Sequence, residues 1–350
     1  MQLIDATNKA LRYTGRIDFS NPQAPTFIYA GSSIHVRFTG TSVAVHVRNI
    51  YHDMEAAIGF MIDGAESKVV MGRNEGEQKL VLSDDLIPGT HDLILWKRAG
   101  GGNYYFDFLG LLLDDGATVS PLGERPARRI ECYGDSVSAG EVCECLAYTG
   151  REDPEGHNGA FSNSWYSYSL MTARSLGAEI HNNAQGGIAV LNNTGYFVSG
   201  TVGLESTWDK LRYNPELGPC TPWDFAQWTP HAVIFALGQN DKHPIDFIDT
   251  DPARRDLWKS TYAGIIKNLR AKYPHALFVV ITTLLIHPAG WETALDEMVS
   301  SLADPRTVRC RFTRAGKGTP GHPRIGEEAE MAHELTAFLA GYGKELWGEA

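Results

Sequence analysis

Ile130-Glu131-Cys132-Tyr133-Gly134-Asp135-Ser136-Val137-Ser138 is a short apolar run that ends in a Gly-Asp-Ser turn, and its reading decides the fold of this 350-residue chain. A run of this length, bounded by turn residues, reads as a buried strand. The serine just beyond it is a candidate nucleophile, provided that a base takes its proton and donors hold the oxyanion formed after attack. Three later stretches can supply both. They are Asn182-Asn183-Ala184-Gln185-Gly186-Gly187, then Leu237-Gly238-Gln239-Asn240-Asp241, then Gly321-His322-Pro323. Gly-Asp-Ser alone is a frequent tripeptide, whereas the four stretches in this order form a far more specific set.

Working outward, apolar strands alternate with helical stretches from Arg129 onward. The strand candidates are Ile130 to Tyr133, Ala178 to Asn182, Ala232 to Leu237 and Leu277 to Ile281. Their near-continuous apolar character suits a parallel sheet covered on both faces by crossover helices. Asp251-Pro252 reads as an N-cap with proline at the first helical position, and a last helix is expected from near Gly326. Ser136, Gly187 and Asn240 then each fall just past the carboxyl end of a strand, where open α/β sheets place their ligand crevice. His322 falls in the loop before the final helix.

Residues 1–120 have a different period. Ile34-His35-Val36-Arg37-Phe38 and Val43-Ala44-Val45-His46-Val47-Arg48 alternate apolar and polar with Gly40-Thr41 between them, Asp63-Gly64 separates two further short runs, and Pro88-Gly89-Thr90 precedes Leu93 to Trp96. This pattern predicts an antiparallel β-sandwich of jelly-roll type. Gly100-Gly101-Gly102 opens no helix and is expected to be a flexible loop. Pro121 to Pro126 breaks the alternation, so the expected organisation is a sandwich domain over 1–120, a linker over 121–128 and an α/β domain over 129–350.

The chain has 31 basic and 42 acidic residues and a formal charge of -11. Such a surface repels phosphate backbones and anionic membranes, so neither nucleic acid nor membrane is an expected partner. No run is long enough to cross a bilayer. Met1 to Lys9 lack the pattern of a secretory signal, so the expectation is a cytoplasmic protein if Met1 is the native start, and otherwise a secreted one with its signal removed. The oligomeric state is open. Cys132, Cys143, Cys145, Cys220 and Cys310 are odd in number and scattered, which fits reduced thiols. Cys143, Cys145 and His157 lack a fourth ligand at zinc-site spacing, so no metal is expected.

The four blocks resemble those of the SGNH (GDSL-type) hydrolase superfamily. That resemblance places the nucleophile on Ser136 and the base on His322. It places the oxyanion hole on the N–H of Ser136, on Gly187 (or Gly186 if the register slips by one) and on Asn240. Asp135 and Asp241 are expected to fix loops. Tyr13 to Phe19, Arg37 to Val43, Asp63-Gly64 and Trp223-Asp224-Phe225 extend the resemblance to carbohydrate esterase family 2, a jelly roll joined to an SGNH domain. This resemblance implies a serine esterase that removes O-acetyl groups from plant-wall sugars such as xylan, mannan and glucomannan, with no cofactor. SGNH enzymes commonly carry an aspartate three residues before the histidine, but Thr319 stands there. Either a carboxylate arrives from elsewhere or a backbone carbonyl accepts the Nδ1 proton, and the family 2 resemblance implies the second, a Ser-His dyad. Trp223 and Trp291 are candidate sugar platforms, because a flat apolar face suits a pyranose ring. His287 is the rival base, and His243 lies near Asn240. The polar stretch Thr149 to Ser162 is expected beside the nucleophile. Two other functions share these residues: a lipid or thioester acyl hydrolase, and a carbohydrate-binding protein with a decayed hydrolase site.

Overall fold

A computed structural model describes residues 1–73 and 76–349. The first third of the chain forms two six-stranded antiparallel sheets packed face to face. One sheet is centred on Tyr104–Leu113, which pairs with Val43–Tyr51. The other is centred on Gly89–Lys97, which pairs with Ser33–Gly40 and Ala57–Ile62. The alternation read from the sequence is what fills the space between them. Val36, Phe38, Val45, Val47, Leu93, Phe108 and Leu111 have no exposed surface, and all belong to one continuous core. Asp63-Gly64 turns a hairpin between Ala57–Ile62 and Ala65–Val70. Gly40-Thr41 instead carries the chain from one sheet to the other.

From Arg128 the topology changes to five parallel strands in the order Ala178–Ala184, Arg128–Gly134, Ala232–Ala236, Leu277–Ile281, Thr307–Arg309. The first strand in sequence lies second in the sheet. The direction of winding therefore reverses beside it, which is where such sheets bind ligands. Alternate side chains feed two helical layers. Val233, Phe235, Phe278 and Val280 pack with Trp258, Tyr262, Ile266 and Leu269 of the Pro252–Lys272 helix and with Trp291 and Leu295 of Ala289–Leu302. Ile130, Cys132, Ile234 and Ile281 face Leu170 of Tyr168–Ser175 and Met331, Leu335 and Leu339 of Ile325–Ala340. Asp251 caps the long helix as expected, its side chain accepting from the Arg254 N–H with Pro252 at the first turn. This arrangement of antiparallel sheets followed by a three-layer parallel α/β unit is the fold class expected from the sequence.

The two units share a densely bonded seam. Arg16, fully buried, donates to Glu131 Oε1 at 2.6 Å and to the Tyr133 hydroxyl, both on the first parallel strand. Trp96 stacks on Trp165 at 4.7 Å and donates to Asn163 Oδ1 at 3.1 Å. The triple-glycine segment lies in this seam and corrects the expectation of a flexible loop. Gly100, Gly101 and Gly102 are buried, and Gly101–Asn103 forms a 3-10 turn. A Cβ on Gly101 would lie 1.9 Å from the Tyr213 hydroxyl, and one on Gly102 would lie 2.6 Å from Gln185 Oε1. Only glycine lets the backbone approach these groups so closely. Underneath, the buried Lys97 ammonium holds the loop by donating to the Ala99 and Gly100 carbonyls at 3.0 and 2.9 Å.

Candidate active site

Three strand ends define the floor of the site. Gly134 is in register with Ala184 on one side and Ala236 on the other, so the segments that follow leave the sheet at one level. The nucleophile turn leaves from Gly134, Gln185-Gly186-Gly187 from Ala184, and Gly238-Gln239-Asn240 from Ala236. Asp135, buried among them, ties the segments together. It accepts from the Val137 N–H at 3.1 Å, Gln239 Nε2 at 2.5 Å and Asn240 Nδ2 at 3.3 Å. Burial pushes its carboxyl up to about 7. Asp241 likewise accepts from the N–H groups of Val190 and Leu191, anchoring the loop after Gly187.

Above this floor lies a cavity of about 690 Å³ onto which Ser136, Gly186, Gly187, Asn240 and His322 all open. The residues placed there from the sequence are therefore brought together. Gly187 has φ +71, a left-handed conformation in which its carbonyl accepts from the Tyr196 N–H at 2.8 Å. Asn240 Nδ2 also donates to the Ile188 carbonyl at 3.0 Å.

His322 differs from expectation in one respect. Its Nδ1 does not meet a backbone carbonyl but lies 2.5 Å from Asp153 Oδ2. The expected dyad is corrected to a Ser136, His322, Asp153 arrangement. Asp153 is held at several points, since its Oδ1 accepts from the His322 N–H at 3.0 Å and from Arg324 Nη2 at 2.8 Å. Gly321 permits this approach, because a Cβ there would lie 2.5 Å from the Arg151 carbonyl and 2.8 Å from Asp153 Oδ1. Thr319 is buried and bridges to Leu285, away from the ring. Burial opposes ionisation of Asp153, but the bonds to His322 and Arg324 outweigh it and hold the carboxyl well below its usual range. Burial also lowers His322, and the Asp153 bond together with the charges of Glu141, Asp153 and Asp135 more than reverses this, so its pKa stands above the ordinary imidazole value. Asp153 comes from the Thr149 to Ser162 stretch, which the sequence placed beside the nucleophile without assigning Asp153 itself a role.

The expected tryptophan platforms are also corrected. Trp223, 7% exposed, lies in the seam beneath the Arg16 guanidinium, and Trp291, 2% exposed, packs against Trp258 and Phe247. Neither lines the cavity, because each ring is taken up by the core. The exposed aromatic at the rim is Tyr196, which stacks on His243 at 4.1 Å. His287, the rival base, is buried with Nδ1 on the Leu285 carbonyl at 2.8 Å and Nε2 against Glu292 at 3.2 Å. The sequence also gave no sign that the sandwich domain would help to build the site. His52, Asp53, Met54, Gly102 and Asn103 all line the cavity.

A parallel α/β sheet in this strand order, with Gly-Asp-Ser at its switch point and a Gly-His-Pro loop over the same edge, gives the second unit the fold of the SGNH type. With the sandwich in front of it, the whole chain resembles carbohydrate esterase family 2. Residues 13–122 match the family described as carbohydrate esterase 2 N-terminal. The chain is 29% identical to the cellulase/esterase CelE of Acetivibrio thermocellus over 97% of its own length, but it spans only 40% of CelE. It is 22% identical to an acetylxylan esterase/glucomannan deacetylase of Cellvibrio japonicus, covering 96% of this chain and 90% of that one. A solved family two carbohydrate esterase from Clostridium thermocellum, in complex with cellohexaose, superposes with a TM-score of 0.80 at 25% identity, covering 96% of this chain and 99% of that one.

Proposed function

We propose that this chain is a carbohydrate O-acetylesterase that acts on acetylated poly- or oligosaccharides of the plant wall, such as xylan, mannan and glucomannan. The observation that carries the reading is the convergence of Ser136, His322 and the Gly186-Gly187 turn at one cavity, with Asp153 held against Nδ1 of the His322 ring. The family two resemblance supports it, as do the names of the relatives.

In the proposed reaction, His322 Nε2 takes the proton from Ser136 as the hydroxyl oxygen attacks the acetyl carbonyl. The N–H groups of Ser136 and Gly187 hold the oxyanion, and Asn240 joins them by giving up its longer bond to Asp135. Asp153 keeps Nδ1 protonated and stabilises the imidazolium. The C–O bond to the sugar breaks as His322 returns the proton to the leaving oxygen. Water, deprotonated by the same nitrogen, then releases acetate from Ser136. None of these steps uses a metal or organic cofactor.

The lining favours a sugar over a lipid chain. Asp53, Asn103, Gln185, Asn214, Glu216 and Asn240 make the lining polar, and the exposed ring of Tyr196 offers a face for a pyranose. The test is acetate release from a mixed panel of acetylated xylo- and manno-oligosaccharides, followed by NMR. Wild type is expected to deacetylate them, and Ser136→Ala to lose acetate release with an unchanged unfolding midpoint. Turnover retained by Ser136→Ala would overturn the mechanism. A wild type that cleaves long acyl p-nitrophenyl esters faster than the acetyl ester would overturn the substrate class.

A further inference from the structure

A second pocket, of about 330 Å³, lies in the seam between the two units and shares no lining residue with the active-site cavity. The sandwich gives it an apolar wall of Leu11, Tyr13, Ile17 and Phe19, and Phe19 stands edge-on to Tyr13 at 5.1 Å with 44% of its surface exposed. The α/β unit lines it with Glu179 and His181, both on the edge strand Ala178–Ala184, and with Trp228. Each of these three is more than nine-tenths buried and carries a polar atom without a partner among the described residues: Glu179 Oε2, His181 Nδ1 and Trp228 Nε1. Buried polar atoms are nearly always bonded, so three of them at one pocket call for a ligand. The other Glu179 oxygen accepts from Arg125 Nη1 at 2.6 Å and from Thr14 Oγ1 at 3.1 Å. His181 lies flat on Trp228 at 3.7 Å, and burial, with the charges of Arg16, Arg125 and Arg129, holds its pKa well below the ordinary imidazole value, so the ring is neutral.

We propose that this pocket is a second, non-catalytic carbohydrate site that holds one neutral pyranose residue. The chemistry of the three atoms selects the class. Trp228 Nε1 only donates, the ionised Glu179 Oε2 only accepts, and a neutral imidazole nitrogen does one or the other. A hydroxyl both donates and accepts, so one polyol answers all three. An anion would meet the Glu179 carboxylate, and a cation would meet the Trp228 N–H and the Arg125 guanidinium. The Arg125 charge is itself matched by Glu179 and leaves no net pull on an anion. A pyranose also brings a patch of C–H groups, which the rings of Phe19 and Tyr13 can cover. The volume stands at the lower end of the range for small-ligand pockets, about 300–1,000 Å³, which suits a single ring. The site is separate from catalysis. Glu179 stands near the start of the strand whose other end, Ala184, releases the Gln185-Gly186-Gly187 turn, roughly 16 Å away at about 3.3 Å per residue. A glycan held here is anchored to the protein without entering the active site.

The test follows the tryptophan indole N–H signals of the full chain by NMR while unacetylated xylotetraose, mannotetraose and cellotetraose are titrated in, with Trp228→Phe assigning the Trp228 signal. That signal is expected to shift and saturate with at least one of the three sugars. Phe19→Ala, which removes an exposed ring, is expected to weaken this binding roughly 3- to 10-fold, the worth of an aromatic face, and to leave kcat/KM on a monoacetylated methyl glycoside unchanged. A Trp228 signal that stays in place with all three sugars would overturn the site. So would a Phe19→Ala variant that binds as tightly as wild type. A signal that responds to p-cresol and to none of the sugars would overturn it too, since the pocket would then take apolar rings. Binding needs no turnover, so a failure here and a failure of acetate release are separate results.

Discussion

At the scale of single residues, the site depends on how His322 is held. A base must be neutral to accept the Ser136 proton, so the acid limb of kcat/KM reports the His322 pKa in the free enzyme. Because the Asp153 bond and the neighbouring carboxylates raise that pKa above the ordinary imidazole value, the limb is expected at higher pH than for an unperturbed histidine. Asp153→Asn removes the largest of these raising contributions. The limb should then move to lower pH while kcat/KM falls by about 10²- to 10⁴-fold, because the tautomer and the imidazolium lose their partner. A pH-rate series on both proteins measures this, and an unchanged profile with near-normal rate would remove Asp153 from the mechanism. The aspartate was invisible in the sequence for a definite reason. The familiar pattern looks three residues upstream of the histidine and finds Thr319, whereas the partner lies 169 residues away. Gly321 left a trace in the Gly-His-Pro block, since it lets the Asp153 loop close onto the ring.

At the scale of elements, the parallel strands and the capped helix were legible because each is set by local pattern: continuous apolar runs for strands buried on both faces, and Asp-Pro for a helix start. The Gly100-Gly101-Gly102 turn was not. Glycine runs are read as slack when nothing nearby in sequence crowds them, yet here the crowding comes from Tyr213 and Gln185 of the other domain. Gly101→Ala should therefore displace the Tyr213 ring and its 2.6 Å bond to Gln185. The expected cost is about 1–3 kcal/mol of stability, from overpacking. Activity should fall too, because Gly102 and Gln185 line the cavity. Chemical denaturation with parallel acetate-release assays would show it, and a variant with wild-type values in both would mean that the loop is looser than its packing.

At the scale of the whole molecule, the two units depend on each other. The sandwich supplies part of the cavity wall, and Arg16 crosses the seam to pair with Glu131 on the strand that carries the nucleophile. Both side chains have no exposed surface, so removing one leaves the other charged and unpaired. Arg16→Met is expected to cost about 3–5 kcal/mol, and a second substitution, Glu131→Leu, to recover part of it. Unfolding midpoints of the single and double variants decide this. A double variant no better than Arg16→Met would show that the pair is not what holds the seam.

The sequence by itself determined the change from two-residue to helical periodicity near residue 121, the parallel strands, and the three glycine-, asparagine- and serine-bearing turns at their ends, because each follows from patterns within a few residues. It did not determine which acid meets His322, which aromatic ring faces the cavity, or that a jelly-roll loop forms one of its walls. Trp223 and Trp291 illustrate the difference, since hydrophobic pattern marks a large apolar ring but not whether the core or the solvent side receives it. Those outcomes belong to contacts between distant segments, and they are settled only when closure of the chain decides which side chains share a low-dielectric space.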